Sequence, residues 1–165
     1  MTLTIENGTN VANANSYITL AEVRAFASAR GITLSIVDAT LESQIIKAMD
    51  WVESKRDQFK GSKTYTTQSL QWPRFNVYID NLAFSSTSIP IELKNTLCQL
   101  VIEIHNGVDI YPNFTGNFIK REKVDVIETE YSERNGNMLP TMSKIDDLLR
   151  PLLSCSFGNI IVSRG

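Results

Sequence analysis

The residue types that most often carry nucleophilic or metal chemistry are scarce in this chain, which has one histidine and two cysteines in 165 residues. His105 and Cys98 share one predicted helix, and their spacing puts them on the same face but about 10 Å apart along its axis. A catalytic cysteine needs its histidine within hydrogen-bond distance. We therefore predict that Cys98 is a small buried residue and that His105 is a helix-end residue. Cys155 has no activating neighbour in the sequence.

Sequence motifs for metal or phosphate binding are absent. The chain contains neither C-x-x-C nor H-E-x-x-H, and neither the P-loop nor the dinucleotide-binding glycine pattern. Two acidic pairs remain, Asp146–Asp147 and Glu128 with Glu130. The first pair is typical of a helix N-terminus and the second of the solvent face of a strand. We predict a protein that is not an enzyme and that has no cofactor and no metal.

Basic residues form two groups along the chain: Lys55, Arg56, Lys60 and Lys63, and then Lys120, Arg121 and Lys123. With Trp72 and Tyr65 nearby, the first group could form a groove in which single-stranded nucleic acid stacks on aromatic rings. The formal net charge is only -2, so no excess of basic residues supports such a groove. We interpret both groups as solvated surfaces and keep single-stranded DNA binding as the alternative.

The length and composition are those of one globular domain. Hydrophobic residues make up 42% of the chain and charged residues 21%. Two cysteines are too few for a disulfide framework, and the first residues lack the basic and apolar regions of a signal peptide. No apolar run approaches the roughly 20 residues that a membrane span needs. We expect a soluble protein that is made inside a cell and has no membrane partner.

Periodicity predicts four helices, at 19–31, 40–59, 90–106 and from 143 onward. The first begins with a capping box of Thr19 and Glu22 and ends at Gly31. Pro90 suits the first position of the third helix. Ser143 is expected to be the N-cap of a short fourth helix.

The segments outside the helices are predicted to form a long loop, two strands and an extended arm. Segment 61–88 lacks periodicity but carries many large side chains, so we expect a loop that is packed onto the core. Segments 118–126 and 127–131 resemble strands that meet at a bend. Segment 154–165 is extended and apolar. These features predict a mainly α (α+β) fold, with a small bundle of about four helices, paired strands, one domain at 1–153 and a C-terminal arm at 154–165.

Several motifs follow one another in an order that resembles a known family. Ala14-Asn15-Ser16-Tyr17 precedes the first helix, Leu70-Gln71-Trp72-Pro73-Arg74 lies in the long loop, and Ile145 to Leu153 closes the series. This order resembles the head-to-tail adaptor (connector) proteins of tailed bacteriophages, also labelled DnaT-like single-stranded-DNA-binding proteins. The residues after Arg74 depart from the family, which often has a small or turn residue where Phe75 and Asn76 stand.

The resemblance implies a structural virion protein. Its copies would assemble into a ring, commonly of twelve, below the portal protein at the head-to-tail junction. The ring would extend the DNA channel, contact the passing genome weakly at most, and dock a downstream tail, nozzle or stopper protein. The protein would be synthesised in the host cytoplasm. The subunit would be mainly helical, with a β-hairpin.

Eight residues are candidates for functional or structural roles. Tyr17, Trp72 and Pro73 form the structural motif, with Trp72 as a core anchor and Pro73 holding the preceding residue extended. Arg74 is expected in an ion pair that lies either inside the subunit or between subunits. The apolar arm is expected to be buried by a neighbouring copy or by the portal, the alternative being a strand packed on its own domain. Its candidate interface residues are Phe157, Ile160, Ile161 and Val162.

Overall fold

The computed structural model describes residues 2–111, 121–124, 127–130 and 142–154. Its helices are α1 (Leu20–Ser28), α2 (Asp38–Glu53), α3 (Ile91–His105) and α4 (Ser143–Leu149). One 3-10 turn follows α2, at Arg56–Gln58, and another follows α4, at Arg150–Leu152. The prediction of a mainly helical α+β fold is confirmed.

Helix α3 lies at the centre of the bundle and packs against α1, α2 and α4. The side chains that α3 buries in these contacts include Leu93, Leu97, Leu100 and Val101. Burying these side chains between three neighbouring helices is the main source of stability for such a bundle. No helix within the described residues is both long enough and apolar enough to cross a membrane.

The ends of the helices follow the capping residues closely. Thr19 and Glu22 form the predicted capping box of α1, and Gly31 adopts the left-handed conformation after the helix, with φ +70°. Two predictions were wrong by one position. Pro90 is the N-cap of α3 rather than its first residue, and Ser143 is the first residue of α4 rather than its N-cap.

Helix α2 is shorter at its C-terminal end than the sequence predicts. The hydroxyl of Ser54 donates to the carbonyl of Trp51 at 2.7 Å, and the helix ends at Glu53 instead of continuing to Phe59. Phe59 is buried as expected, but it lies in extended backbone that pairs with Leu153. Phe59 lies at a helical spacing from the buried residues of α2, and this spacing led to the wrong prediction that the helix extends to residue 59.

The long loop is packed onto the core, as predicted, and contains two short antiparallel pairs. Strand β1 (Ser62–Lys63) pairs with β2 (Arg74–Phe75), and β3 (Tyr78–Ile79) pairs with β4 (Leu82–Ala83). Asp80 and Asn81 join β3 to β4 with φ +50° and +66°, the pattern of a tight hairpin turn.

The last two strands are β5 (Arg121–Val124) and β6 (Ile127–Glu130), which pair antiparallel with Val124 opposite Ile127. This register is the β-hairpin that the resemblance implies, and the bend expected near Val126 and Ile127 falls at the connection between its two strands. Of the predicted arm at 154–165, the structure describes only Ser154. The four candidate interface residues lie outside the described residues: Phe157, Ile160, Ile161 and Val162. The boundary between domain and arm stays a prediction.

Candidate functional site

The two most specific sequence motifs, A-N-S-Y and W-P-R, meet in space through one carboxylate. The backbone N–H of Trp72 donates to the hydroxyl oxygen of Tyr17 at 3.0 Å. That hydroxyl donates in turn to Oε1 of Glu53 at 2.6 Å, and the N–H of Gln71 donates to Oε2 of Glu53 at 3.0 Å. Glu53, the last residue of α2, thus holds the N-terminal loop and the long loop together.

The N-terminal loop is ordered by its own polar side chains. The hydroxyl of Ser16 bonds both the carbonyl and the N–H of Ile18, and Oδ1 of Asn15 accepts from the N–H of Thr4 at 2.8 Å. The buried carboxylate of Glu6 accepts three backbone N–H groups of the following turn. These bonds fix the backbone just before Tyr17, and its ring enters the core with 0% exposure.

Trp72 is fully buried, with 0% of its surface exposed. The rings of Phe59 and Phe84 lie nearly perpendicular to its ring, with centroids 5.9 and 6.2 Å away. Such edge-to-face contacts add to the free energy gained from burying a large aromatic. Its indole Nε1 has no hydrogen-bond partner among the described residues. Pro73 follows through a cis peptide bond and is also buried.

The guanidinium of Arg74 finds its acceptors within the same chain. Its Nε donates to the carbonyl of Lys60 at 2.7 Å, and Nη2 donates to the carbonyl of Gly61 at 2.7 Å. Only 7% of Arg74 is exposed. At Gly61, φ is +66° and a Cβ would lie 2.2 Å from the carbonyl oxygen of Phe75, so glycine is required there. An acceptor for Arg74 on another copy stays a prediction.

Burial shifts the pKa values of Glu53, Tyr17 and Arg74. Desolvation raises the pKa of Glu53 above its usual value, although hydrogen bonds from Tyr17 and Gln71 and the charges of Lys63 and Arg74 oppose the change. Desolvation and the nearby Glu53 carboxylate raise the pKa of Tyr17 well above its usual value. Desolvation also lowers the pKa of Arg74. Both oxygens of Glu53 are occupied by donors, and a structural network of this kind shifts pKa values without catalysis.

We expect the stability contributed by Glu53 to fall as pH rises. The pKa of Glu53 is higher in the folded chain than the ordinary 4.5, so between the two values the folded state binds more protons than the unfolded state. Urea unfolding of the wild type and of Glu53→Gln should be compared from pH 4 to pH 7. The free energy of unfolding of the wild type, relative to the variant, should decline above pH 4.5. A relative increase with pH would show that the folded chain prefers the ionised carboxylate.

The residues considered first for catalysis are placed apart from one another. Cys98 is buried, and desolvation raises the pKa of its thiol to about 12, so it remains an unreactive thiol at neutral pH. His105 ends α3, and its Nδ1 lies 3.5 Å from Nε2 of Gln44. Asp147 pairs with Arg150 on the surface. In the part of the chain that the structure describes, no group of three potential ligands is arranged to hold a metal ion.

The first basic group is largely engaged in contacts within the chain. Nζ of Lys60 donates to the carbonyls of Tyr78 and Pro151, at 3.2 and 2.8 Å. Nζ of Lys63 donates to the carbonyl of Gln68 at 3.4 Å. Lys55 lies over the ring of Trp51 at 4.6 Å, a cation–π contact. Of the second group, the structure describes only the backbone of Arg121 and Lys123.

Two residues of this site were not singled out by the sequence. These are Glu53 and Gln68, neither of which belongs to a motif of the sequence analysis. Gln68 is buried, accepts from the N–H of Tyr65 and donates to the carbonyls of Leu70 and Pro73. A signal for Glu53 was available, because it follows buried Val52 and lies one turn after buried Met49, at the edge of the apolar face.

The comparison with protein families covers the whole chain. The sequence model of the family described as "Putative DnaT-like ssDNA binding protein" matches residues 1–165. The chain belongs to this family. Searches of the curated proteins and of the solved structures give no significant match. The DnaT-like family assignment therefore rests on the match of the family model to the sequence.

Proposed function

We propose that this DnaT-like family member is a structural subunit of a phage head-to-tail junction, an adaptor that forms a ring below the portal. The proposal combines the motif order, which resembles head-to-tail adaptors, with one structural observation. Trp72 is buried, and Lys60 and Lys63 bond backbone carbonyls within the subunit. Several large apolar and aromatic side chains, Tyr65 among them, are exposed. This distribution suits a protein that binds other protein subunits.

Trp72 is the clearest part of this observation. A stacking platform must expose the face of its ring to the bases, and Trp72 has no exposed surface. Lys60 and Lys63 bond backbone carbonyls of the chain, Lys55 lies over the ring of Trp51, and Arg56 is exposed beside Asp57. A groove for single-stranded DNA would require these groups to leave their present partners.

Exposed apolar side chains point instead to contacts between proteins. Ile36 is 89% exposed, Leu82 is 74% exposed and Ile91 is 60% exposed. The loop that carries Ile36 is held in place, because Nη2 of Arg24 contacts the carbonyl of Ile36 and the carboxylate of Asp38. An apolar side chain displayed on a fixed loop is suited to a neighbouring copy in a ring.

We expect Ile36→Ser to prevent ring assembly without changing the stability of the isolated chain. Ile36 makes little contact within the chain, so its loss removes only the free energy gained when another copy covers it. Thermal melting and sedimentation of the protein mixed with the portal of the same virus would measure both effects. Ile36→Val keeps an apolar side chain and should assemble normally. Normal assembly of Ile36→Ser would exclude this loop from the ring interface.

The alternative function, a single-stranded-DNA-binding accessory to replication, makes an opposite prediction. A channel subunit should bind oligonucleotides weakly, without sequence preference and with strong dependence on salt. We expect a Kd above about 1 µM for a single-stranded oligonucleotide at physiological salt, as for non-specific binding. Fluorescence anisotropy at two salt concentrations tests this. Tighter binding that is lost in a Lys55→Gln, Arg56→Gln double variant would favour the replication role.

A further inference from the structure

An open groove of about 510 Å³ lies where the described chain ends. Its walls come from three places: Lys60 and Gly61 after α2, the β3–β4 hairpin, and Ser154. The hairpin contributes Tyr78, with 54% of its surface exposed, together with Asn76, Asp80 and Asn81. This volume is in the range of sites that accept several side chains or a small ligand.

We infer that this groove is the docking site of the C-terminal segment 155–165 of the same chain. The inference goes beyond the proposed function and does not depend on it. For the isolated chain, it favours an arm that packs on its own domain over an arm that is buried only by a neighbouring copy or by the portal.

The direction of the chain before the groove supports this occupant. Leu153 forms an antiparallel bridge with Phe59. The N–H of Lys60 donates to the carbonyl of Leu152 at 2.9 Å, and the N–H of Ser154 donates to the carbonyl of Gln58 at 2.7 Å. Ser154 is itself part of the groove wall. Phe157 follows three residues later, within about 10 Å of extended chain.

The chemistry of the groove matches the segment. An extended segment brings apolar side chains, here Phe157 and Ile160, and also backbone N–H and C=O groups that need partners. The half-exposed ring of Tyr78 offers an apolar surface. The side chains of Asn76, Asp80 and Asn81 make no hydrogen bond to other described residues, and they are available for the backbone of the segment.

The tether decides between the same chain and a second copy. Because Ser154 is part of the groove wall, the short connection to it holds the segment near the groove at an effective concentration in the millimolar range. A segment from another copy, present at micromolar concentration, would have to displace it. The segment of the same chain therefore occupies the groove in the isolated protein.

Disulfide trapping in the full-length protein tests this inference. Asn81→Cys and Ile160→Cys would be combined with Cys155→Ser, while buried Cys98 stays unreactive. The matched control replaces Asn81→Cys by Val108→Cys, at a residue that is 42% exposed and outside the groove wall. Dilute protein is oxidised, and non-reducing gels and peptide mapping separate bonds within one chain from bonds between two chains.

We expect the Asn81–Ile160 pair to form a bond within one chain at least about ten times faster than the control pair, because docking raises the local concentration. Adding Tyr78→Ala should slow this bond toward the control rate, and circular dichroism would verify that the variant is folded. Equal rates for the two pairs would overturn the inference. Bonds found only between chains would show that the groove receives the arm of a second copy, which also overturns it.

Discussion

Replacing Trp72 by alanine is expected to lower the free energy of unfolding by about 3–5 kcal/mol, the range for large-to-small changes at fully packed aromatic sites. Trp72 has no exposed surface and contacts Phe59 and Phe84 edge to face. Its removal leaves a cavity where the long loop meets the core. Since a domain of this size has roughly 5–15 kcal/mol of total stability, the variant should be close to unfolding. Urea denaturation followed by far-ultraviolet circular dichroism would measure the change.

Two control variants make this prediction specific. Trp72→Phe should cost less than half as much, because the Nε1 of Trp72 has no partner among the described residues and a phenyl ring keeps most of the packing. Phe75→Ala lies three residues away in the same loop, and Phe75 is 49% exposed, so its cost should be about 1 kcal/mol or less. A similar loss for Trp72→Ala and Phe75→Ala would contradict the role of Trp72 as the anchor of the loop.

Arg74→Ala is expected to lower the free energy of unfolding of the isolated chain by about 1.5–3 kcal/mol, the range for hydrogen bonds that involve a charged group. The variant would leave the carbonyls of Lys60 and Gly61 without the donors that now reach them at 2.7 Å. These two bonds link Arg74 of β2 to the two residues that precede β1. Thermal and urea unfolding of the isolated protein would measure the loss.

Arg74→Lys is the matched variant. Lysine keeps the positive charge but lacks the planar group that donates to two carbonyls at once, so its stability should fall between those of the wild type and the alanine variant. An Arg74→Ala protein that is as stable as the wild type, yet fails to assemble, would place the important acceptor on another copy. That outcome would contradict the role inside the chain that the hydrogen bonds indicate.

The helices could be predicted from the sequence where local signals act alone. The capping box of Thr19 and Glu22 and the glycine that ends α1 depend on neighbouring residues only, and both were confirmed. The end of α2 was predicted wrongly because Phe59 continues the helical spacing. Its actual position depends on Leu153, a residue 94 positions later that pairs with it. Periodicity cannot represent a contact between segments so far apart.

The candidate site shows the same limit of local reasoning. The burial of Trp72 follows from its size, and it was expected from the sequence. The position of Glu53 at the edge of the apolar face of α2 indicates partial burial, but it does not indicate which groups of the two loops Glu53 binds. Only the folded chain brings Glu53 to the hydroxyl of Tyr17 and the N–H of Gln71. The acceptors of Arg74 are backbone carbonyls, which no side-chain pattern reveals.

Electron microscopy of the protein mixed with the portal of the same virus tests the central claim most directly. Negatively stained particles would be averaged with and without the protein, at physiological salt. The adaptor function predicts a second ring, coaxial with the portal and of the same rotational symmetry, that lengthens the channel. Portal particles that remain unchanged, while the protein retains a single-stranded oligonucleotide with sub-micromolar Kd, would contradict the adaptor function and support the replication role.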